Sequence, residues 1–316
     1  FHNGLTSGAS TKGNSVYGYC DTTTCPLSQV TATSADITFN SNRQASYNSG
    51  TETVSFNTAG KFTLQPTSTT GFVQMNLGDY RFSSDMTGLT IGKDQSTDTW
   101  ALSTPSNAWS IAGLIRMFSG TITVNNNLTS TSSSSGGILL KAPGDVVVTG
   151  GTSSAAQRVL QSNGQPITLW SNSDNAGTGA IYLDQYSAIN SAGGATTATA
   201  TGGAITLAGG ADANADGIPD GNALAPATAG VAGISFGRSF NTALSHSALT
   251  NLASSIKVYA GTSTLTARGE STLGPGIWVG PGTSVLTGGK QTFVGVESGN
   301  SAGSAATYGH GILFGY

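Results

Sequence analysis

Short apolar segments written as apolar, Thr or Ser, apolar recur along this chain, and no window sustains apolar residues at i, i+3, i+4 and i+7 without Gly, Ser, Thr or Asn interrupting it. A period of two with β-branched residues is the mark of a half-buried strand. The segments 36–39, 53–56, 61–65, 72–75, 89–91, 121–124, 138–141 and 145–149 read as strands. So do 167–170, 180–183, 204–207, 234–236, 256–259, 277–279, 292–296 and 312–314. Several end in glycine, as at Ile91-Gly92, Leu207-Ala-Gly-Gly210, Phe236-Gly237 and Phe314-Gly315, where a corner needs positive φ or close backbone approach. Asn-Gly occurs only at Asn3-Gly4 and Asn163-Gly164, and most connections are too long for a meander of two-residue hairpins.

A loose repeat of about 20 to 25 residues fits a parallel β-solenoid. The expected fold is therefore all-β, a right-handed parallel β-helix with protruding loops, over residues 51–316. At about 4.8 Å per coil, on the order of 14 coils would give a rod of roughly 65 Å. Residues 1–50 read as an irregular amino-terminal cap or insertion, with a Greek-key sandwich as the other arrangement for that part.

Composition supports a column. Only 9% of the 316 residues are charged, against about 25% in an ordinary globular chain. Stacked coils bring equivalent side chains to about 4.8 Å, where like charges repel and Thr, Ser and Asn hydrogen-bond along the axis. With 37% hydrophobic residues and a net charge of −3 the chain is not of the disordered class. Twelve Lys and Arg among 15 acids leave no basic stripe, which argues against nucleic acid as a partner. No apolar run approaches the roughly 20 residues that cross a bilayer, so membrane insertion by this segment is not expected. Phe1 has no secretory leader behind it, as in a processed or excised piece. Cys20 and Cys25 are spaced for a small disulfide loop in an oxidising compartment, or remain free thiols; a zinc site would need a second pair.

Several segments together resemble the filamentous-haemagglutinin-like repeat regions of very large bacterial surface adhesins, particularly those of gliding bacteria. They are Leu89-Thr-Ile-Gly-Lys93, Gly120-Thr-Ile-Thr-Val-Asn-Asn-Asn-Leu-Thr129, Gly137-Ile-Leu-Leu-Lys-Ala142, Gln165-Pro-Ile-Thr-Leu-Trp170, Gly203-Ala-Ile-Thr-Leu-Ala-Gly-Gly-Ala-Asp212 and Ser263-Thr-Leu-Thr-Ala-Arg-Gly269. The resemblance covers about residues 60 to 316. It implies a β-helical stalk on a giant exported polypeptide, placed on the cell surface, with neighbouring repeats of the same polypeptide or filament as partners and surface glycans or proteins as targets. The alternatives are a glycan-binding β-helix module and, further off, a polysaccharide lyase or hydrolase.

The most specific local chemistry is Asp212-Ala-Asn214-Ala-Asp216-Gly217-Ile218-Pro219-Asp220-Gly221. Oxygen side chains at Asp212, Asn214, Asp216 and Asp220, the backbone carbonyl of Ile218 and a glycine at the sixth place reproduce nine positions of a calcium loop. Position 12 is Ala223 instead of Glu, so another loop or water would complete the shell. Calcium is expected as a structural brace; the competing reading is an Asx-rich turn. The segment 171–175 and the acids Asp94 and Asp98 read as capped or solvated turns. Asp145, Asp174 and Asp184 lie roughly one coil apart, as stacked catalytic acids would. With three Glu, three His and no nucleophile motif, no catalytic residue is expected. Trp100, Trp109, Trp170 and Trp278 sit in strand-like segments suited to packing, while Tyr17, Tyr19 and Tyr47 are the aromatics placed for exposure.

Overall fold

The computed structural model describes residues 2–3, 15–18, 28–41, 43–46, 53–69, 71–72, 74–75, 77, 79–94, 98–104, 107–228, 230–237, 256–298 and 310–314. Cys20, Cys25, Tyr19 and Tyr47 lie outside them. The described elements are strands throughout, and no helix is long and apolar enough to cross a membrane.

The chain winds as a three-faced parallel β-helix. One circuit runs along Leu114–Phe118, Thr121–Val124 and Leu128–Ser130, and the next begins at Ile138–Lys141, which pairs in parallel with Leu114–Phe118. Repeating the circuit builds a ten-stranded first face, a seven-stranded second face and a six-stranded third face. At the amino-terminal end Ser15–Gly18, Arg43–Ser46 and Gln74–Met75 form one further parallel run, and Ser28–Thr31, Thr53–Asn57 and Asp79–Phe82 another. Parallel pairing therefore reaches well into residues 1–50, and position 50 does not divide the ladder.

Register places like on like. On the first face Phe62, Leu89, Ile115, Ile138, Ile167, Ile205 and Leu265 stack inward, with Leu64, Ile91, Met117, Leu140, Leu169, Leu207 and Ala267 beside them. All are buried. The second face contributes Ile122, Val146, Ile181, Ile234 and Ile277, and the third Leu128, Leu160, Ile189 and Val258. These columns merge into one continuous core. At the amino-terminal end the aliphatics give way to aromatics: Phe39, Phe56, Phe62, Tyr80, Phe82 and Trp109 touch one another at centroid distances from 4.5 to 6.4 Å. The indole N–H of Trp109 donates to the Tyr80 carbonyl at 3.0 Å, so the plug leaves that polar tip satisfied.

The outward side of the first face carries the neutral ladder that low charge foretold. Thr38, Thr63 and Thr90 stack in register, Arg116 and Leu139 interrupt, and Thr168, Thr206, Thr266 and Thr292 continue. Positive φ is found at Gly92, Gly210 and Gly237, three of the strand-closing glycines.

The coil count departs from expectation. The step from Ile115 to its partner Ile138 matches the anticipated repeat, but Ile205 pairs with Leu265 across a long excursion. Loops consume chain without adding height, so the first face rises through far fewer coils than 14, about 40 Å at the usual spacing.

A loop-bearing corner as the candidate functional site

Three polar segments singled out in the sequence emerge from one corner of the rod, where the first face turns into the second. Residues 92–94 and 98–100 follow Gly88–Ile91, residues 172–179 leave after Ile167–Ser171, and residues 210–222 leave after Ile205–Gly209. The last is an excursion within one coil. The chain returns at Ala223–Leu224, which pairs with the second half of Leu265–Ser271 while Ile205–Gly209 pairs with its first half. Gly209 and Gly221 exchange backbone hydrogen bonds at the neck of the loop.

The loops are tied down. Asp94 forms an ion pair with Lys141 at 3.0 Å, and the same ammonium lies 4.1 Å above the Trp170 ring. The Trp170 indole donates to the Gly210 carbonyl at 2.7 Å, and the Gly210 amide donates to the Asn172 carbonyl at 3.1 Å. Lys141 and Trp170 are register partners on the outward side of the first face, so this surface is clamped by loop contacts. Trp109, Trp170 and Trp278 are all buried, as packing aromatics.

Between the first two loops lies a cleft of about 280 Å³, lined by Asp98, Thr99, Gly120, Thr121, Pro143, Gly144, Asp174, Gly177 and Thr178. Its floor is the corner of the intervening coils, trimmed to glycine. At Gly144 a Cβ would stand 2.7 Å from the Gly120 carbonyl oxygen.

Asp98 is only 3% exposed, which corrects its reading as a solvated loop acid. The loop folds back so that its carboxylate accepts the amides of Trp100, at 2.9 Å, and Gly120. Its other oxygen is buried without a partner. Asp145 accepts the Ala180 amide at 2.7 Å, and Asp174 accepts the Ala176 amide at 3.2 Å. Asp184 lies elsewhere, where the second face turns into the third, and accepts its neighbour Gln185's amide at 2.8 Å. Asp145 and Asp174 thus share a corner and Asp184 does not.

Burial raises the Asp98 carboxyl above its ordinary 3.8 against the opposing pull of the two amides, and raises Asp145 likewise against the Ala180 amide. An acid so raised holds its proton more tightly folded than unfolded. The stability it contributes is complete below the unfolded value and is lost as pH climbs through the folded one. Asp145→Asn keeps an oxygen for the Ala180 amide and has no charge to desolvate. Its melting temperature is expected to gain on the parent's from about pH 4 upward and to show no gain near pH 3. A difference that stays constant over that range would remove the burial explanation.

The loop at 212–220 has the turns its sequence announced. The Asp212 carboxylate accepts the amides of Asp216 at 3.1 Å and Gly217 at 2.8 Å, and the Asn214 oxygen accepts Asp216's at 3.0 Å. Asp216 accepts the Ile218 amide at 2.9 Å, and Asp220 accepts Ala213's at 2.9 Å. Ala215 and Gly217 adopt positive φ. Ile218 is 48% exposed at the tip. Ala223, in the twelfth position, is a buried strand residue and supplies no ligand. Arg268 donates to the Asp220 carbonyl at 2.6 Å, bringing a positive charge to the loop's base. Among the described residues no three acids, histidines or cysteines are grouped to hold a metal ion.

Sequence reasoning found each of these loops but not their common corner, because that depends on the register of coils far apart in the chain. Comparison with protein-family models, with curated proteins and with solved structures finds no match for this chain.

Proposed function

We propose that this chain is a stalk segment of an exported cell-surface adhesin, a stiff extracellular spacer that holds one loop-bearing corner outward. The observation that carries the reading is the unbroken parallel register of the first face, with a buried aliphatic column on one side and a threonine column on the other. Every coil adds backbone hydrogen bonds and apolar contact to the last, so stiffness accumulates with length. An outer surface poor in charge suits stacking with further coils of the same polypeptide. The repeat segments that resemble filamentous-haemagglutinin-like adhesins support the same assignment. The cleft and the three loops are the parts placed to meet a target glycan or protein.

The rod and the location are tested separately. Stretched between its termini, the chain is expected to yield in steps of about one coil, near 85 Å for some 25 residues at about 3.4 Å each; a single rupture of the whole length would sink the stalk. Antibody against residues 211–221 is expected to label intact cells. Labelling only after permeabilisation would remove the surface assignment.

Calcium enters this proposal as a brace of the 212–220 loop. Millimolar calcium is expected to slow hydrogen exchange at the amides of Asp216, Gly217 and Ile218, and Asp212→Asn is expected to abolish the slowing. Unchanged exchange in the parent would leave the loop to its own amides.

A further inference from the structure

The cleft between the first two loops carries charge of one sign. Asp98 and Asp174 line it, and none of its nine lining residues is cationic. Asp145, next in the chain to Gly144 of the lining, brings a third carboxylate to the corner. Lys141 is already engaged with Asp94 and Trp170, and Lys93 stands exposed outside the lining. Asp98 is the unusual member. It is all but removed from solvent, one of its oxygens has no partner, and no cation among the described residues pairs with it. A carboxylate in that state costs free energy, which a cation entering the cleft would partly recover.

The rest of the lining selects the kind of cation. The hydroxyls of Thr99, Thr121 and Thr178 bond to no other residue. Asp174 uses one oxygen on the Ala176 amide and keeps the second open. Gly120, Gly144 and Gly177 leave the surface bare of side chains, and Pro143 adds an apolar ring. The volume of about 280 Å³ lies just under the roughly 300 Å³ where pockets for drug-sized ligands begin, so there is room for about one ring.

We propose that the cleft binds one sugar ring carrying a free amino group, as in a polysaccharide of unacetylated 2-amino sugars, with Asp174 taking the ammonium and the threonine hydroxyls meeting those of the ring. The inference rests on the reading of this corner as the part that meets a target, and it names that target's chemistry. Asp98 lies beneath the surface and acts through its field, while Asp174 acts by contact.

Other occupants fit less well. Phosphate, sulfate and uronic acids would bring negative charge to a wall with no cation to receive it. A divalent metal needs several oxygens around one point, and no three acids among the described residues are so grouped. A lysine side chain has the charge, but its four-carbon stem seeks apolar surface and here would lie along hydroxyls, leaving them without partners. A neutral sugar satisfies the hydroxyls and leaves Asp98 without a counter-charge. An amino sugar answers both.

The test measures binding of the β-1,4-linked trisaccharide of glucosamine to the whole chain. A Kd on the order of a millimolar is expected for one bound ring, with amide shifts centred on Gly120, Thr121, Gly144, Gly177 and Thr178. The N-acetylated trisaccharide has the same ring without the charge and should bind about tenfold more weakly. Asp174→Asn keeps an acceptor for the Ala176 amide and should weaken glucosamine binding about tenfold, and Asp98→Asn, which keeps one for Trp100, about threefold. Both variants should retain the parent's β-sheet circular dichroism. Equal affinity for the two trisaccharides, full affinity in both variants, or no shift at those amides overturns the proposal. Tighter binding of tetralysine than of the glucosamine trisaccharide also overturns it, by making the cleft a peptide site. Each of these results leaves the stalk standing, because the stretching measurement judges that reading alone.

Discussion

Gly113→Ala is expected to destabilise the rod by about 3 kcal/mol, the upper end of overpacking costs, because nothing near the new methyl group can yield. Gly113 closes the corner between Trp109–Ile111 and Leu114–Phe118. A Cβ there would stand 1.7 Å from the Thr87 carbonyl oxygen and 2.0 Å from its carbon, both backbone atoms of the preceding coil. The Gly113 amide also donates to the Met86 carbonyl at 2.9 Å, so the two coils cannot part without losing a hydrogen bond. Stability in a solenoid is a sum of nearest-neighbour terms, so the damage should be local. Hydrogen exchange should quicken in Gly88–Ile91 and Leu114–Phe118 and stay slow in Ile205–Gly209. Uniform loss of protection along the chain would show that the molecule melts as one unit and that the coil-by-coil description is wrong.

Phe62→Ala should cost about 4 kcal/mol, in the range for emptying a buried aromatic site. Phe62 is fully buried and touches Phe39, Phe56 and Phe82, the last two at 5.1 Å or less. Its register partners are Ile37 on one side and Leu89 on the other, both held by backbone pairing and unable to move into the space. Phe62→Leu keeps most of the volume and should recover more than half of the loss. Denaturant unfolding of the three proteins checks the order. Equal midpoints for Ala and Leu would mean that the aromatic cluster is not close-packed at this point.

The first two faces were largely legible in the sequence and the third was not. Lys61–Gln65, Thr121–Val124, Ile138–Lys141, Ile234–Phe236, Ile277–Val279 and Ile312–Phe314 match the anticipated segments to the residue. All six put Ile, Val, Leu or Phe inward at alternate positions, while the outward residues range from Thr and Ser in Thr121–Val124 and Ile234–Phe236 to Leu139, Trp278 and Leu313. Leu128–Ser130, Arg158–Ser162, Ser187–Asn190 and Ser284–Thr287 were not among the anticipated strands, whereas Lys257–Gly261 on the same face overlaps the anticipated 256–259. A third-face strand offers as little as one large inward residue, such as Leu128, Leu160 or Ile189, and then a buried serine that binds the corner. Ser130, Ser162 and Ser191 donate to the carbonyls of Gly113, Gln165 and Gly203 at 2.7, 2.5 and 2.6 Å. Polar residues used this way look like loop in a one-dimensional pattern.

At the candidate site, local chemistry was readable and long-range chemistry was not. The turns of residues 212–220 follow from Asx side chains capping amides two to five positions away. The burial of Asp98 depends on the Gly120 amide and on Gly71, which packs against its carboxyl from the coil before. No spacing rule within a single coil contains those partners.

Because the excursion at residues 210–222 leaves and re-enters a single coil through the Gly209–Gly221 neck, its length is independent of everything above and below it. Foreign peptides spliced at the Ile218 tip would ride at a fixed altitude on an unaltered mast. The same freedom lets natural variation rewrite what this corner shows to its surroundings while the winding beneath it stays constant.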